Sequence, residues 1–114
     1  MPKNCSMSYK VKTIPYFDRQ AKRLTRKFQS FKNELSELFD SLEIDPTQGV
    51  SLGNDCYKIR VAIKSKGKGK SGGARAITHV IAVREDVYLL TVFDKSEKEN
   101  ISDQELQELL KMIE

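Results

Sequence analysis

Six residues of this 114-residue chain have types and spacing that could do chemistry: Lys58, Arg60, Lys64, Arg75, His79 and Lys95. Lys58, Arg60 and Lys64 alternate with Ile59, Val61 and Ile63, the period of a strand, so cations gather on one face and apolar side chains on the other. Arg75 and His79 stand four apart in the next apolar run and share a face. A phosphodiester is the natural ligand for such a surface, because guanidinium forks match phosphate oxygens. Crowded cations also lower a lysine pKa, which lets a lysine move protons near neutrality. A ribose 2′-hydroxyl beside the phosphate is a built-in nucleophile. Its use requires a base, charge stabilisation on the phosphate and an acid for the 5′ leaving oxygen, with no metal or other cofactor expected.

Other chemistries find less support. Gly69-Lys70-Ser71 has the ending of a phosphate-binding P-loop, but Lys64 stands where that loop needs a glycine, and a strand rather than a helix is expected next. The chain has no serine elbow, no Cys/His nucleophile pair and no Cys/His cluster with metal spacing. Cys5 and Cys56 read as free thiols. His79 is the only histidine, and a single histidine on a strand is more often structural than catalytic.

Charge is segregated along the chain although the net charge is only +4. Residues 1–33 carry nine Lys/Arg and one acid, Asp18, whereas residues 34–56 carry six acids and no base. From Lys58 to Arg84 there are eight Lys/Arg and no acid, and from Glu85 onward nine acids and three lysines. A long acid-free stretch rich in cations is the footprint of a polyanion-binding surface.

The elements that must position these residues follow from periodicity. Tyr9 to Ile14 alternates and ends at Pro15, a first strand. Phe17, Ala21, Leu24 and Phe28 lie on one helical face, and Phe31, Leu35, Leu38, Phe39 and Leu42 on a second, with a break near Gln29-Ser30. Gly49 and Gly53 mark a loop after Asp45-Pro46. Strands follow at Tyr57–Lys64, Ala74–Val83 and Val87–Phe93, with Lys66–Gly73 as a mobile hairpin loop and Glu85-Asp86 as a turn. Ser102 and Glu105 form a capping box for a last helix, with Ile101 stapled onto Leu106. The order β-α-α-β-β-β-α predicts an α+β domain. Its antiparallel sheet has about four strands, its helices lie on one side, and its cationic face is open. At 39 % hydrophobic residues the chain fits a single domain over 1–114, with 1–8 as a flexible extension. No apolar run approaches the ~18 residues of a membrane span, and the N-terminus lacks a signal-peptide core, so a cytoplasmic protein without membrane contact is expected.

Three segments together resemble the RelE/ParE toxin superfamily, and most closely its HigB-type branch of type II toxin–antitoxin modules. They are Tyr57-Lys58-Ile59-Arg60, Gly67-Lys68-Gly69-Lys70-Ser71-Gly72-Gly73-Ala74-Arg75, and Tyr88 to Lys98. The resemblance runs from about residue 9 to the end. It implies a RelE-like fold and an mRNA endonuclease acting in the ribosomal A site. It also implies a cognate antitoxin, often a small helix-turn-helix protein. Residue by residue, Lys58 matches a basic residue on the family's second strand. Arg60 stands where some members have a lysine proposed as base, a role an arginine fills badly. Arg75 matches the arginine that contacts the scissile phosphate. Lys95 and Lys98 fall in the segment that supplies another basic catalytic group, and His79 stands where similar sequences often carry an aromatic. The tyrosine that some relatives carry near the C-terminus has no counterpart after Tyr88.

The expected catalytic set is therefore Lys58, Arg60, Arg75, His79 and Lys95, with Lys64, Lys66, Lys68, Lys70 and Lys98 gripping RNA or the ribosome. The leading expectation is a ribosome-dependent mRNA interferase. A ParE-type inhibitor of DNA gyrase and a plain RNA-binding module are the alternatives.

Overall fold

The computed structural model describes residues 8–66 and 72–113; residues 1–7, with Cys5, and residues 67–71, with Lys68 and Lys70, lie outside the described residues. A first strand, β1 (Lys10–Thr13), leads into the helices α1 (Pro15–Lys27) and α2 (Phe31–Ile44). Four strands follow, β2 (Val50–Gly53), β3 (Cys56–Val61), β4 (Ala74–Ile81) and β5 (Asp86–Asp94), and then α3 (Asp103–Leu110). Among the described residues no helix is long and apolar enough to cross a membrane.

The helices form where the sequence places their stripes and caps. Pro15 occupies the first turn of α1, where its missing N–H costs nothing, and Phe17, Ala21 and Leu24 are buried. Phe31, Leu38 and Leu42 are buried from α2, each worth roughly 1.5–3 kcal/mol of transfer energy. Glu34 shares that buried face. Its carboxylate accepts from the Lys64 backbone N–H at 2.6 Å and from Ser30 Oγ at 3.1 Å, tying α2 to the turn after β3. The capping box of α3 is complete, with Ser102 and Glu105 each accepting from the other's backbone N–H.

The α+β class holds, but the sheet has five strands in the order β1-β5-β4-β3-β2. β1 lies parallel to β5, and the other neighbours are antiparallel. β2 is the strand the sequence conceals. It is only four residues long and largely exposed, with Val50 on its surface, so no alternation marks it. It pairs with β3 through a two-residue hairpin in which Asn54 and Asp55 have φ of 55° and 59°. Asn and Asp tolerate that left-handed region best among residues with a side chain, and this turn suits the strand twist. β3 ends at Val61 and β4 at Ile81, both earlier than their apolar runs suggest, because short 3₁₀ turns at Lys64–Lys66 and Ala82–Arg84 take over.

Register assigns the faces. Ile59, Ala76 and Val92 are aligned across β3, β4 and β5, as are Thr78 and Leu89, on the side covered by α1 and α2. The opposite face carries the rows Arg60–Arg75–Phe93, Lys58–Ile77–Thr91 and Cys56–His79–Tyr88. That face is less open than expected. Ile77, Thr91, Tyr88 and Phe93 are all buried. The segment after β5 returns across them: Asn100 meets Lys58, Lys98 sits 5.6 Å over the Phe93 ring, and α3 packs on β5 with Leu106 and Leu109 buried. The cause lies in β5 itself, a mostly apolar and aromatic run between Asp86 and Asp94, buried at all nine positions. A strand buried on both faces needs cover on both, so the helices divide between the two sides. The cationic residues are left at the β3 and β4 end of the face.

Candidate functional site

Arg60 and Arg75 are directly opposite each other in the β3–β4 ladder. Cross-strand partners in an antiparallel pair point to the same side, roughly 5 Å apart at Cβ. With Lys58, Val50, Lys95, Glu99 and Asn100 they line a cleft of about 380 Å³. Arg75 is only 4 % exposed, and its Nη1 donates to the carbonyl of Ala74 at 3.1 Å. Burial, and then the neighbouring charge of Arg60, pull its guanidinium below the ordinary arginine value. Two guanidiniums held this close repel each other, and an anion bound between them relieves that repulsion. Lys58 Nζ is anchored by a 3.4 Å hydrogen bond to Asn100 Oδ1, which brings the segment after β5 over the rim.

Backbone contacts bring Lys95 to the cleft. Its N–H donates to the carbonyl of Gly73 at 3.0 Å, joining the end of β5 to the entry of β4. Gly73 is required there: a Cβ would lie 2.2 Å from the Val61 carbonyl oxygen. Gly73→Ala is therefore expected to push β3 and β4 apart beside Arg75 and to cost about 1–3 kcal/mol. A urea titration of the two proteins measures this, and unchanged midpoints would contradict it.

Asp94, just before Lys95, is the electrostatic hub of this corner and is 1 % exposed. Its Oδ1 accepts from Lys66 Nζ at 2.8 Å and from the Ser96 N–H and Oγ at 3.0 and 2.9 Å, while Lys27 Nζ lies 3.6 Å from Oδ2. Burial opposes its ionisation, but the bonds from Lys66 and then Ser96 outweigh burial and take the carboxyl down to about 2. Glu97 is tied to α1 by Arg23 and Lys27, both at 3.0 Å.

The structure thus gathers four of the five expected catalytic residues, Lys58, Arg60, Arg75 and Lys95, in one cleft. It does not bring His79 there. The shared face with Arg75 is correct, but four residues of strand separate them by roughly 13 Å. His79 Nδ1 lies instead 3.4 Å from the Sγ of buried Cys56. Burial, and then Asp55, push that thiol up to about 11, so it stays protonated. Parity along a strand fixes the face a residue is on and says nothing of distance.

Of the expected RNA-gripping residues, Lys64 is exposed, but on a 3₁₀ turn rather than on β3. Lys66 is a correction: its side chain is 12 % exposed and spent on Asp94. Lys98 pairs with Glu105 and lines an adjoining concavity with Lys66, Gly72, Lys95 and Glu99. Lys68 and Lys70 lie outside the described residues. Sequence reasoning missed Asp94, Glu99 and Asn100. The signal available was an acidic residue at each of Asp94, Glu97 and Glu99 around the lysines of that segment.

A family model described as "RelE toxin of RelE / RelB toxin-antitoxin system" matches residues 12–114. The chain belongs to the RelE toxin family. Within solved structures, a doubly substituted mutant of the E. coli RelE toxin in the free state is similar to this RelE-family chain with a TM-score of 0.55. Identity is 19 %, over 95 % of this chain and 100 % of that one. The RelBE2 toxin–antitoxin complex from Mycobacterium tuberculosis gives a TM-score of 0.55 at 12 % identity, over 81 % of this chain and 97 % of the matched one. At such identities the likeness is one of fold, and it agrees with the α+β class.

Proposed function

We propose that this RelE-family toxin is an mRNA interferase, cutting messages on the ribosome through the ribose 2′-hydroxyl. The observation that carries this reading is the pairing of Arg60 with Arg75 in a cleft whose other cations are Lys58 and Lys95. Arg75 and Arg60 grip the non-bridging oxygens of the scissile phosphate, and Lys58 adds charge as the phosphorane forms. Lys95, on the turn held by Asp94, protonates the 5′ leaving oxygen. The products are a 2′,3′-cyclic phosphate and a 5′-hydroxyl. Lys64, exposed on the turn after β3, contacts RNA backbone. The cognate partner is an antitoxin whose acidic residues neutralise the cationic rim; the M. tuberculosis RelBE2 relative is itself a toxin–antitoxin complex.

The test is a reconstituted translation reaction with purified protein, the message ends being mapped by primer extension with and without ribosomes. Cuts that appear only with ribosomes support the proposal. Intact message together with blocked gyrase supercoiling would replace it with the ParE-type reading.

A further inference from the structure

Cleavage through a 2′-hydroxyl needs a group that accepts its proton, and the cleft offers few. Arg60 and Arg75 do not give up their protons in proteins. In the proposed mechanism Lys58 stabilises the developing charge and Lys95 is the proton donor, so the base is sought elsewhere. Val50 and Asn100 have no basic group, and His79 stands at the far end of its strand against Cys56. Among the described residues lining the cleft, Glu99 is the one carboxylate.

Its neighbours make Glu99 distinctive. Three neighbouring acids are engaged: Asp94 by Lys66 and Lys27, Glu97 by Arg23 and Lys27, and Glu105 by Lys98; Asp103 lies in the first turn of α3 and does not line the cleft. Glu99 is exposed and forms no ion pair with any described residue. It also lies where the cleft and the adjoining concavity around Lys66, Gly72 and Lys98 meet. Both sequence neighbours are held: the Lys98 N–H donates to the Asp94 carbonyl at 3.0 Å, and Asn100 Oδ1 accepts from Lys58 Nζ, which places the backbone of Glu99 at the rim. An acid in a cationic cleft weakens phosphate binding by its charge. Its place there makes sense if it takes part in the reaction.

We propose that Glu99 is the general base of cleavage, an inference that rests on the interferase reading. The Glu99 carboxylate takes the proton from the 2′-hydroxyl. The freed oxygen attacks phosphorus and forms the new P–O2′ bond. The P–O5′ bond breaks, and the 5′ oxygen takes a proton from the Lys95 ammonium. One proton is gained at Glu99 and one is lost at Lys95, so exchange with water restores both.

Glu99→Gln keeps size and polarity, removes the base, and disturbs no buried contact. Single-turnover cleavage of ribosome-bound message is expected to fall about 10²–10⁴-fold, the usual worth of a positioned base. Ribosome affinity should stay within about twofold, since uniform binding is not what a base supplies. The acidic limb of the pH–rate profile should disappear in Glu99→Gln and persist in Glu99→Asp. A Glu99→Gln variant that cuts at the wild-type rate, or differs only in affinity, would overturn the assignment while leaving the interferase reading intact. A wild-type protein that cuts no message overturns that reading, and the inference with it.

Discussion

Arg75→Ala is expected to lower cleavage of ribosome-bound message by about 10²–10³-fold, the loss typical of removing a donor aimed at transition-state charge. The side chain is 4 % exposed, donates to the Ala74 carbonyl and stands cross-strand from Arg60. Its position is therefore fixed before substrate arrives, and little reorganisation remains to be done. Arg75→Lys keeps a positive charge but loses the planar fork, and should recover only part of the rate. Because Arg75 is buried, stability must be followed as well. Removing it also removes a like charge beside Arg60, so the folded state should not suffer as a cavity in the apolar core would. The measurement is primer extension at a fixed ribosome concentration, with circular dichroism on the same samples. A folded Arg75→Ala protein that cuts like wild type would remove Arg75 from the mechanism.

Asp94→Asn should reduce stability by about 2 kcal/mol at pH 7. This is the linkage energy of a carboxyl that falls from 3.8 to about 2 on folding. The sign is fixed by the direction of the shift. A depressed folded pKa contributes stability above the unfolded value, and that contribution is lost as pH falls from about 4 to about 2. Denaturant midpoints of wild type and variant should thus differ at pH 7 and converge near pH 2. Asp86, Glu97 and Glu105 are also lowered; they are common to both proteins and cancel in the difference. A gap that persists unchanged at low pH would show that packing, and not charge, is what Asp94 supplies. The variant should also cut more slowly, because Asp94 holds the turn that carries Lys95 and, once neutral, leaves half-buried Lys66 without its charged partner.

Part of the site was legible because strand periodicity is local. The alternation around Lys58 and Arg60, and the apolar run from Ala74, placed the cations on one face from sequence alone. The same logic misled at His79, since parity specifies a face and leaves distance along the strand out of account. Lys66 was misjudged for another reason. Its partner, Asp94, is separated from it by 28 residues of chain, and no local pattern announces that a surface-type lysine will be spent on a buried carboxylate. Glu99 and Asn100 escaped notice because they belong to a polar connection whose path over the sheet is set by what β5 needs covered.

By itself the sequence determined the two N-terminal helices, the three long strands, the capping box of the last helix and the cationic row on β3, because each depends on residues within a few positions of one another. The tertiary structure alone decided the parallel entry of β1 beside β5, the hidden edge strand β2 and the placing of α3 on the cationic side. It also decided which of the charged residues share a cleft. Those outcomes depend on register between distant segments and on the burial demands of the central strand, and both are settled only when the sheet closes.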